Sequence, residues 1–374
     1  MTKLETINQR LIDRFLDFIK SLSEKENIAI YHDTDPDGIC AGTLMFNALE
    51  KLGLKTAIFE GFDHGDPNMV EDVLMKVKES DINVIMFLDL LADRHPEKIK
   101  EVEKYAHVIL IDHHPIENDV SSEKTIFIKP QIFVKGIIPS RYCTTKLVYD
   151  FMSKLVDLSD FDWLCGVGII ADFAFDAWPE FLDGLYEKYN IEKKKNHIDS
   201  RFGTLVKLIV AANTISFDEV EKAAVKVVES KTMDEAIEKL KEYNIVEEEI
   251  QRIMDNPKEG AEEFPDKNMA IINIKSKYYI NSIIATRISL TYPDKIFFVV
   301  QADKSDPERF AVSGRCQSKR VHLGRLMRDA IQGFEEASAG GHAPASGANL
   351  KKSDYEEFKK RIIEFVDKEE YKNG

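Results

Sequence analysis

Ile28-Ala29-Ile30-Tyr31-His32-Asp33-Thr34-Asp35-Pro36-Asp37-Gly38 is the stretch on which the fold turns. Ile28 to Tyr31 is a short uncharged run of the kind found in strands buried on both faces. It leads directly into three carboxylates on a bend that Pro36 and Gly38 restrict. Ala57-Ile58-Phe59, Val84-Ile85-Met86-Phe87-Leu88 and Val108-Ile109-Leu110-Ile111 repeat the strand pattern, with helix-like stretches over residues 40–52, 69–79 and 96–105 between them. This alternation predicts an α/β fold with a mostly parallel sheet flanked by helices. Ligands of such sheets bind beyond the carboxyl ends of the strands. Three of the four runs end in acids or histidines: the Asp33–Asp37 turn, Asp89, and Asp112-His113-His114. In one parallel sheet these groups would share an edge.

Before this core, Ile7, Leu11, Ile12, Phe15, Leu16, Ile19 and Leu22 recur at helical period, which predicts an amphipathic first helix. After it, residues 196–258 are helical and highly charged. Ser216-x-x-Glu219 and Thr232-x-x-Glu235 read as capping boxes there, and the region is expected to connect or cover without chemistry. Residues 255–260 read as a linker. Strands over 269–274, 295–301 and 309–313, with helices over 279–292, 323–333 and 353–369, make a second, smaller α/β domain. The expected organisation is 1–190 for the first domain, 191–262 for a helical connector and 263–374 for the second domain. There is no internal repeat.

The 374 residues carry 51 Lys plus Arg against 66 Asp plus Glu, a formal charge of −15, and are 44% apolar and 31% charged. That composition is globular and not disordered. The acidic balance argues against a protein that coats nucleic acid non-specifically, which needs many cationic contacts to phosphate. It leaves room for a local basic site, and Arg309, Arg315, Lys319, Arg320, Arg325 and Arg328 follow one another with no acid between them. Cys40, Cys143, Cys165 and Cys316 are scattered, as small buried thiols would be. The N-terminus lacks the apolar core of a signal peptide, and no run reaches the ~18 apolar residues of a membrane span. A cytoplasmic protein with no membrane contact is expected.

Asp33, Asp35 and Asp37 raise one another's pKa unless a cation neutralises them. Asp-Pro-Asp-Gly is also an ordinary turn, and on that segment alone the two readings stand level. The coincidence with Asp89 and with the paired imidazoles of His113 and His114 favours a metal site. Oxygen ligands with one or two histidines suit Mn²⁺, Mg²⁺ or Fe²⁺. Several carboxylates suggest two ions, which can hold a nucleophilic water and stabilise a leaving oxygen. The chemistry implied is hydrolysis of a phosphate ester or anhydride.

Four ordered elements, the acidic turn, Asp89, the literal Asp112-His113-His114 and Gly168-Ile169-Ile170-Ala171-Asp172, resemble the motifs of the DHH phosphoesterase superfamily. Ser313-Gly314-Arg315 and Gly340-Gly341-His342-Ala343-Pro344-Ala345-Ser346-Gly347 resemble the Ser-x-Arg and Gly-Gly-His motifs of its DHH-associated domain. The resemblance implies that Asp35, Asp37, Asp89, His113 and Asp172 are metal ligands, with Asp89 as the bridge. Asp33 matches a position that is often His and sometimes Asp in the family, and the resemblance implies it as a further metal ligand. His114 would lie near the scissile phosphate, and Asp112 would orient the histidine pair. Arg315, Gly340, Gly341 and His342 would bind substrate, the glycines as a loop offering backbone amides, in a cleft between the domains. Many members carry a further Asp two residues after the position of Asp37; Ile39 stands there instead, which is similar to the RecJ-like branch. His32 is expected to be structural and His64 and His95 to be surface loop residues, while Asp176, four residues after Asp172, is either a supporting acid beside the ligands or a solvated loop acid.

The function implied is a phosphodiesterase using two Mn²⁺ ions, or Mg²⁺, on short single-stranded nucleic acid or linear or cyclic dinucleotides. A RecJ-like exonuclease of longer DNA or RNA strands is the alternative, with a polyphosphatase and a catalytically silent scaffold behind it. A homodimer or a protein partner is compatible with either.

Overall fold

The computed structural model describes residues 4–63, 65–256, 259–304 and 306–372. His64 and part of the expected 255–260 linker lie outside them. The chain divides into two compact units, residues 1–244 and 245–374.

In the first unit, strands β1 (Ile28–Asp33), β2 (Thr56–Phe62), β3 (Val84–Leu88), β4 (His107–Ile111) and β5 (Thr125–Ile128) form a sheet in the order β2-β1-β3-β4-β5, parallel throughout. Both faces are covered. Ala29, Tyr31, Ile85, Phe87, Val108, Leu110 and Phe127 pack on one side with Val70 and Val73 of α3 (Met69–Lys78) and Ile99 and Val102 of α4 (Pro96–Val102). Fully burying such side chains contributes about 1.5–3 kcal/mol each. The residues that alternate with them, among them Ile30, Met86 and Ile109, are buried on the opposite face.

The amphipathic first helix is α1 (Gln9–Ser21), which buries Ile12, Phe15 and Ile19. Helix α2 (Pro36–Lys51) starts four residues earlier than the apolar pattern indicates. Asp35 caps it, accepting from Gly38 N at 2.8 Å, and Pro36 fills its first turn, where a missing N–H costs nothing. The acidic turn is therefore a helix N-terminus. Helices α5 (Thr144–Met152) and α6 (Trp163–Ala171) pack on α2.

The segment expected as a connector contributes α7 (Arg201–Ile215), α8 (Phe217–Val228) and α9 (Met233–Leu240) to the first unit, where α7 packs on α6 and α8 on α2. Helix α10 (Asn244–Asp255) belongs to the second unit from Ile245 onward. Ser216 and Thr232 accept from the amides of Glu219 and Glu235 at 3.1 and 3.2 Å. The reciprocal half of the box is not needed at Ser216, whose own N–H donates to Ala212 O.

The second unit holds a six-stranded sheet of β6 (Ala261–Phe264), β7 (Met269–Asn273), β8 (Ile296–Ala302), β9 (Arg309–Arg315), β10 (Ser338–Gly341) and β11 (Ala345–Lys351), in the order β10-β11-β9-β8-β7-β6. Only β7 and β8 pair in parallel. Helices α11 (Asn281–Thr291), α12 (Leu323–Ala330) and α13 (Tyr355–Phe365) complete it. The glycine-rich segment expected as a loop is a hairpin. Gly340 pairs with Gly347 and Gly341 with Ser346, because small residues let β10 lie flat along β11.

Candidate metal centre

The order β2-β1-β3 reverses direction at β1, so the carboxyl ends of β1 and β3 flank the point where such sheets open a crevice. Asp33 ends β1, Asp89 follows β3, Asp112-His113-His114 follows β4, and Lys129 follows β5. The backbone at Asp89 is left-handed, φ 64°, a conformation Asp tolerates better than most residues. Its N–H donates to Ile111 O at 2.9 Å, which holds the strand end against β4.

Two helix N-termini converge here. Asp37 lies in the first turn of α2, and its carboxylate accepts from the first amides of α5, Thr144 N at 2.6 Å and Thr145 N at 3.1 Å, and from Thr145 Oγ1 at 2.7 Å. Thr144 Oγ1 donates to Asp89 Oδ1 at 2.7 Å. Helix starts favour negative charge. Asp33 Oδ1 accepts from Thr34 N at 2.6 Å.

Ligand-type atoms of Asp33, Asp35 and Asp89 lie within 4.8 Å of one another, as do those of Asp89, Asp112, His113 and His114, and those of Asp37, Cys143 and Asp172. Asp89 joins the first two groups. His113 Nε2 is 3.4 Å from Asp89 Oδ1 and 3.2 Å from Asp172 Oδ2, and the latter oxygen is not aligned for a hydrogen bond. Buried Asp89 Oδ2 has no hydrogen-bond partner among the described residues.

Burial, with repulsion from Asp33 and Asp37, raises Asp35 to about 7. Burial and the neighbouring acids, Asp37 foremost, hold Asp89 and Asp172 well above the usual carboxylate range. Burial also lowers His113, leaving the imidazole neutral and able to donate a lone pair. Acceptors facing one another in a dry site repel unless protons or a cation neutralise them, and this donor set fits divalent Mn²⁺ or Mg²⁺. Cys143 is a poorer donor, because burial together with Asp37 and Asp172 keeps its thiol protonated.

His114 Nδ1 and its backbone N–H both bond Asp112 Oδ1, at 2.7 and 3.0 Å. Burial alone would raise Asp112, but the His114 hydrogen bond and the charges of His114 and Lys129 outweigh it and hold the acid below its ordinary value. Lys129, fully buried, places Nζ 2.9 Å from Asp112 Oδ2, 3.1 Å from Asp93 and 3.0 Å from Pro115 O.

Sequence reasoning missed Lys129, Asp93, Thr144 and Thr145. Thr125-Ile126-Phe127-Ile128 has the same buried-strand pattern as the other runs, but nothing local marks the lysine that follows it as buried. Thr144 and Thr145 have no local signal. His32 is buried, bonds Asp33 O at 2.7 Å through Nδ1, and is lowered to about 4 by burial. Asp176 is an exposed partner of Arg141 at 3.8 Å, and His95 is half-buried beside α4. All four cysteines are buried and free.

In the second unit, Arg315 ends β9. Its Nε donates to Thr286 Oγ1 at 3.0 Å, Nη2 to Ser282 Oγ at 2.8 Å and Nη1 to Gly314 O at 2.9 Å. Hydroxyls one turn apart on α11 thus fix the plane of the guanidinium. Gly340 and Gly341 lie on the edge strand β10, and His342 lies in the turn that follows.

A parallel α/β sheet with a carboxylate–imidazole centre at its switch point, followed by a mixed-sheet unit presenting an arginine, defines a two-unit, metal-centred class of protein. Residues 27–164 match the DHH family, N-terminal domain, and residues 275–368 the DHHA1 domain. The chain belongs to the DHH superfamily and is RecJ-like. It is 25% identical to the single-stranded-DNA-specific exonuclease RecJ of Bacillus subtilis, across 93% of this chain and 46% of that protein, so it spans less than half of that relative's length. Two solved structures share the fold. One is RecJ in complex with Mn²⁺ from Thermus thermophilus, with TM-score 0.67 and 17% identity over 96% of this chain and 55% of that one. The other is a DHH domain described as a member of the s1p family of ribosomal proteins, with TM-score 0.69 and 14% identity over 98% and 92%. Among the described residues, no helix is long and apolar enough to cross a membrane.

Proposed function

We propose that the chain is a divalent-metal-dependent phosphodiesterase that hydrolyses short single-stranded oligonucleotides, or linear or cyclic dinucleotides, and releases nucleoside monophosphates. The observation that carries this reading is the meeting of Asp33, Asp35, Asp37, Asp89, His113 and Asp172 at one sheet edge, beside an imidazole tied to an anionic Asp112. Asp35, Asp37, Asp89, His113 and Asp172 would hold the divalent ions, with Asp33 as a further oxygen donor. When bound, such ions supply a nucleophilic water at neutral pH and offset charge on the phosphoryl oxygens.

His114 is oriented through its Nδ1 contact with Asp112, and we propose that its Nε2 faces the phosphate when substrate is bound. Protonated there, it donates to the developing charge or to the leaving oxygen. Asp112, held anionic by the His114 hydrogen bond together with the charges of His114 and Lys129, would stabilise the imidazolium. Arg315, its plane set by Ser282 and Thr286, grips a phosphate, and the Gly340–Gly341 edge with His342 lets the strand approach closely.

A second reading, an exonuclease of longer DNA or RNA strands, is favoured by the alignment of 93% of the chain with a single-stranded-DNA-specific exonuclease. Mn²⁺-loaded protein given end-labelled DNA and RNA of graded length, together with cyclic dinucleotides, separates the two. Short substrates should be cleaved fastest, and a steep rise toward long strands would transfer the assignment to the second reading. Asp89→Ala and His113→Ala should each cost at least about a hundredfold in rate. Wild-type hydrolysis in either variant would refute the ligand set.

A further inference from the structure

A buried thiol stands among the acids of the centre. The Sγ of Cys143 and carboxylate oxygens of Asp37 and Asp172 lie within 4.8 Å of one another. The backbone places all three. Cys143 is the N-cap of α5, and the two amides that follow it, Thr144 N and Thr145 N, hold the Asp37 carboxylate at 2.6 and 3.1 Å. Asp172 closes α6, its N–H donating to Gly168 O at 3.1 Å, and its buried Oδ2 has no hydrogen-bond partner among the described residues. His113 Nε2 lies 3.2 Å from that oxygen. A sulfur, two carboxylates and an imidazole therefore meet around Asp172. Cys40, one turn along α2 from Asp37, and Cys165, whose Sγ contacts Thr145 O at 3.8 Å, are buried outside this cluster.

This donor set serves two kinds of ion differently. Oxygen-seeking Mn²⁺ or Mg²⁺ takes the carboxylates and leaves the thiol protonated. A thiophilic ion seeks the sulfur, and the thiol gives up its proton to solvent as the metal–sulfur bond forms. Cysteine, histidine and carboxylate are together the donors of Zn²⁺ sites, and thiolates select Zn²⁺ over Mn²⁺.

We infer that Cys143 is a conditional ligand, which makes Asp37, Cys143 and Asp172 a binding site for thiophilic divalent ions such as Zn²⁺ and Cd²⁺. An ion seated there takes two carboxylates that the catalytic ions need, and so arrests hydrolysis. This inference rests on the reading of Asp37 and Asp172 as metal ligands.

Cd²⁺ is the probe, because its bond to a thiolate gives an ultraviolet charge-transfer band that its bonds to oxygen and nitrogen do not. Titrating Cd²⁺ into the metal-free full chain should raise this band to saturation. Cys143→Ser should lack the band, and Cys165→Ser should keep it. Serine suits an N-cap, so the first variant is expected to fold, which circular dichroism checks. Cys143→Ala provides a second removal of the sulfur. By calorimetry, the ratio of Cd²⁺ to Mn²⁺ affinity should fall about a hundredfold in Cys143→Ser. A wild type without the band, a band that survives in Cys143→Ser, or an unchanged affinity ratio would overturn the inference. A Cd²⁺–thiolate band in a protein that cleaves no phosphodiester with Mn²⁺ would leave the thiol site standing and refute the phosphodiesterase reading. Hydrolysis without the band would do the reverse.

Discussion

Lys129 places a fully buried ammonium between two buried acids, Asp112 and Asp93, at 2.9 and 3.1 Å. Without it Asp112 would lose one of the charges that, after the His114 hydrogen bond and charge, hold the acid below its ordinary value against burial. Lys129→Met is expected to destabilise the first unit by about 3–5 kcal/mol, read from urea unfolding. Lys129→Arg should recover part of the loss by restoring the charge. A Met variant as stable as the wild type would show that the network carries no net electrostatic load. Asp35, Asp37 and His113 stand out in the sequence because acids and imidazoles cluster at strand ends. Lys129 does not, because a single lysine after an apolar run looks like any solvated loop residue until its burial is known.

At the scale of elements, the centre is built by helix starts as much as by strands. Helix α2 brings Asp37, α5 brings the amides that hold it, and α6 leaves room for both. A Cβ on Gly168 of α6 would lie 2.5 Å from Asp37 Oδ1 and from Thr145 Oγ1. Gly168→Ala ought to favour the helix by up to about 1 kcal/mol, yet it would push Asp37 out of place. The expected outcome is about tenfold weaker Mn²⁺ binding by calorimetry, with the fold retained. Unchanged affinity would mean that the Asp37 carboxylate is not a ligand. The hairpin β10–β11 and strand β5 escaped the sequence reading for opposite reasons. Glycine and alanine in β10 carry no apolar alternation to detect, whereas β5 has a clear apolar run that simply lies beyond the conspicuous Asp-His-His.

For the molecule as a whole, the charge at the centre couples stability to pH and metal. Asp35, raised to about 7, and Asp89 and Asp172, raised well above the usual carboxylate range, favour the folded state most below the unfolded value of about 4, and this contribution is lost as pH rises through the folded values. Buried His32 and His113, both lowered, act in the opposite sense, but their contribution is complete above about pH 6.5. Between about pH 6.5 and 8, chelated protein should therefore melt at falling temperature in calorimetry. Mn²⁺ at about 100 times its dissociation constant should restore about 2.7 kcal/mol and flatten the trend. A chelated protein whose melting temperature holds level or rises across that window would contradict the coupled carboxylates. The sequence alone determined the parallel sheet and the edge where the acids collect, because burial on both faces and charge at strand ends are local patterns. Tertiary structure alone decided which groups steady those acids and which partners the arginines take. Asp37 meets Thr144 across 107 residues, and Arg309 meets Asn349 across 40. Such partners are chosen by sheet order and helix packing, which no single segment encodes.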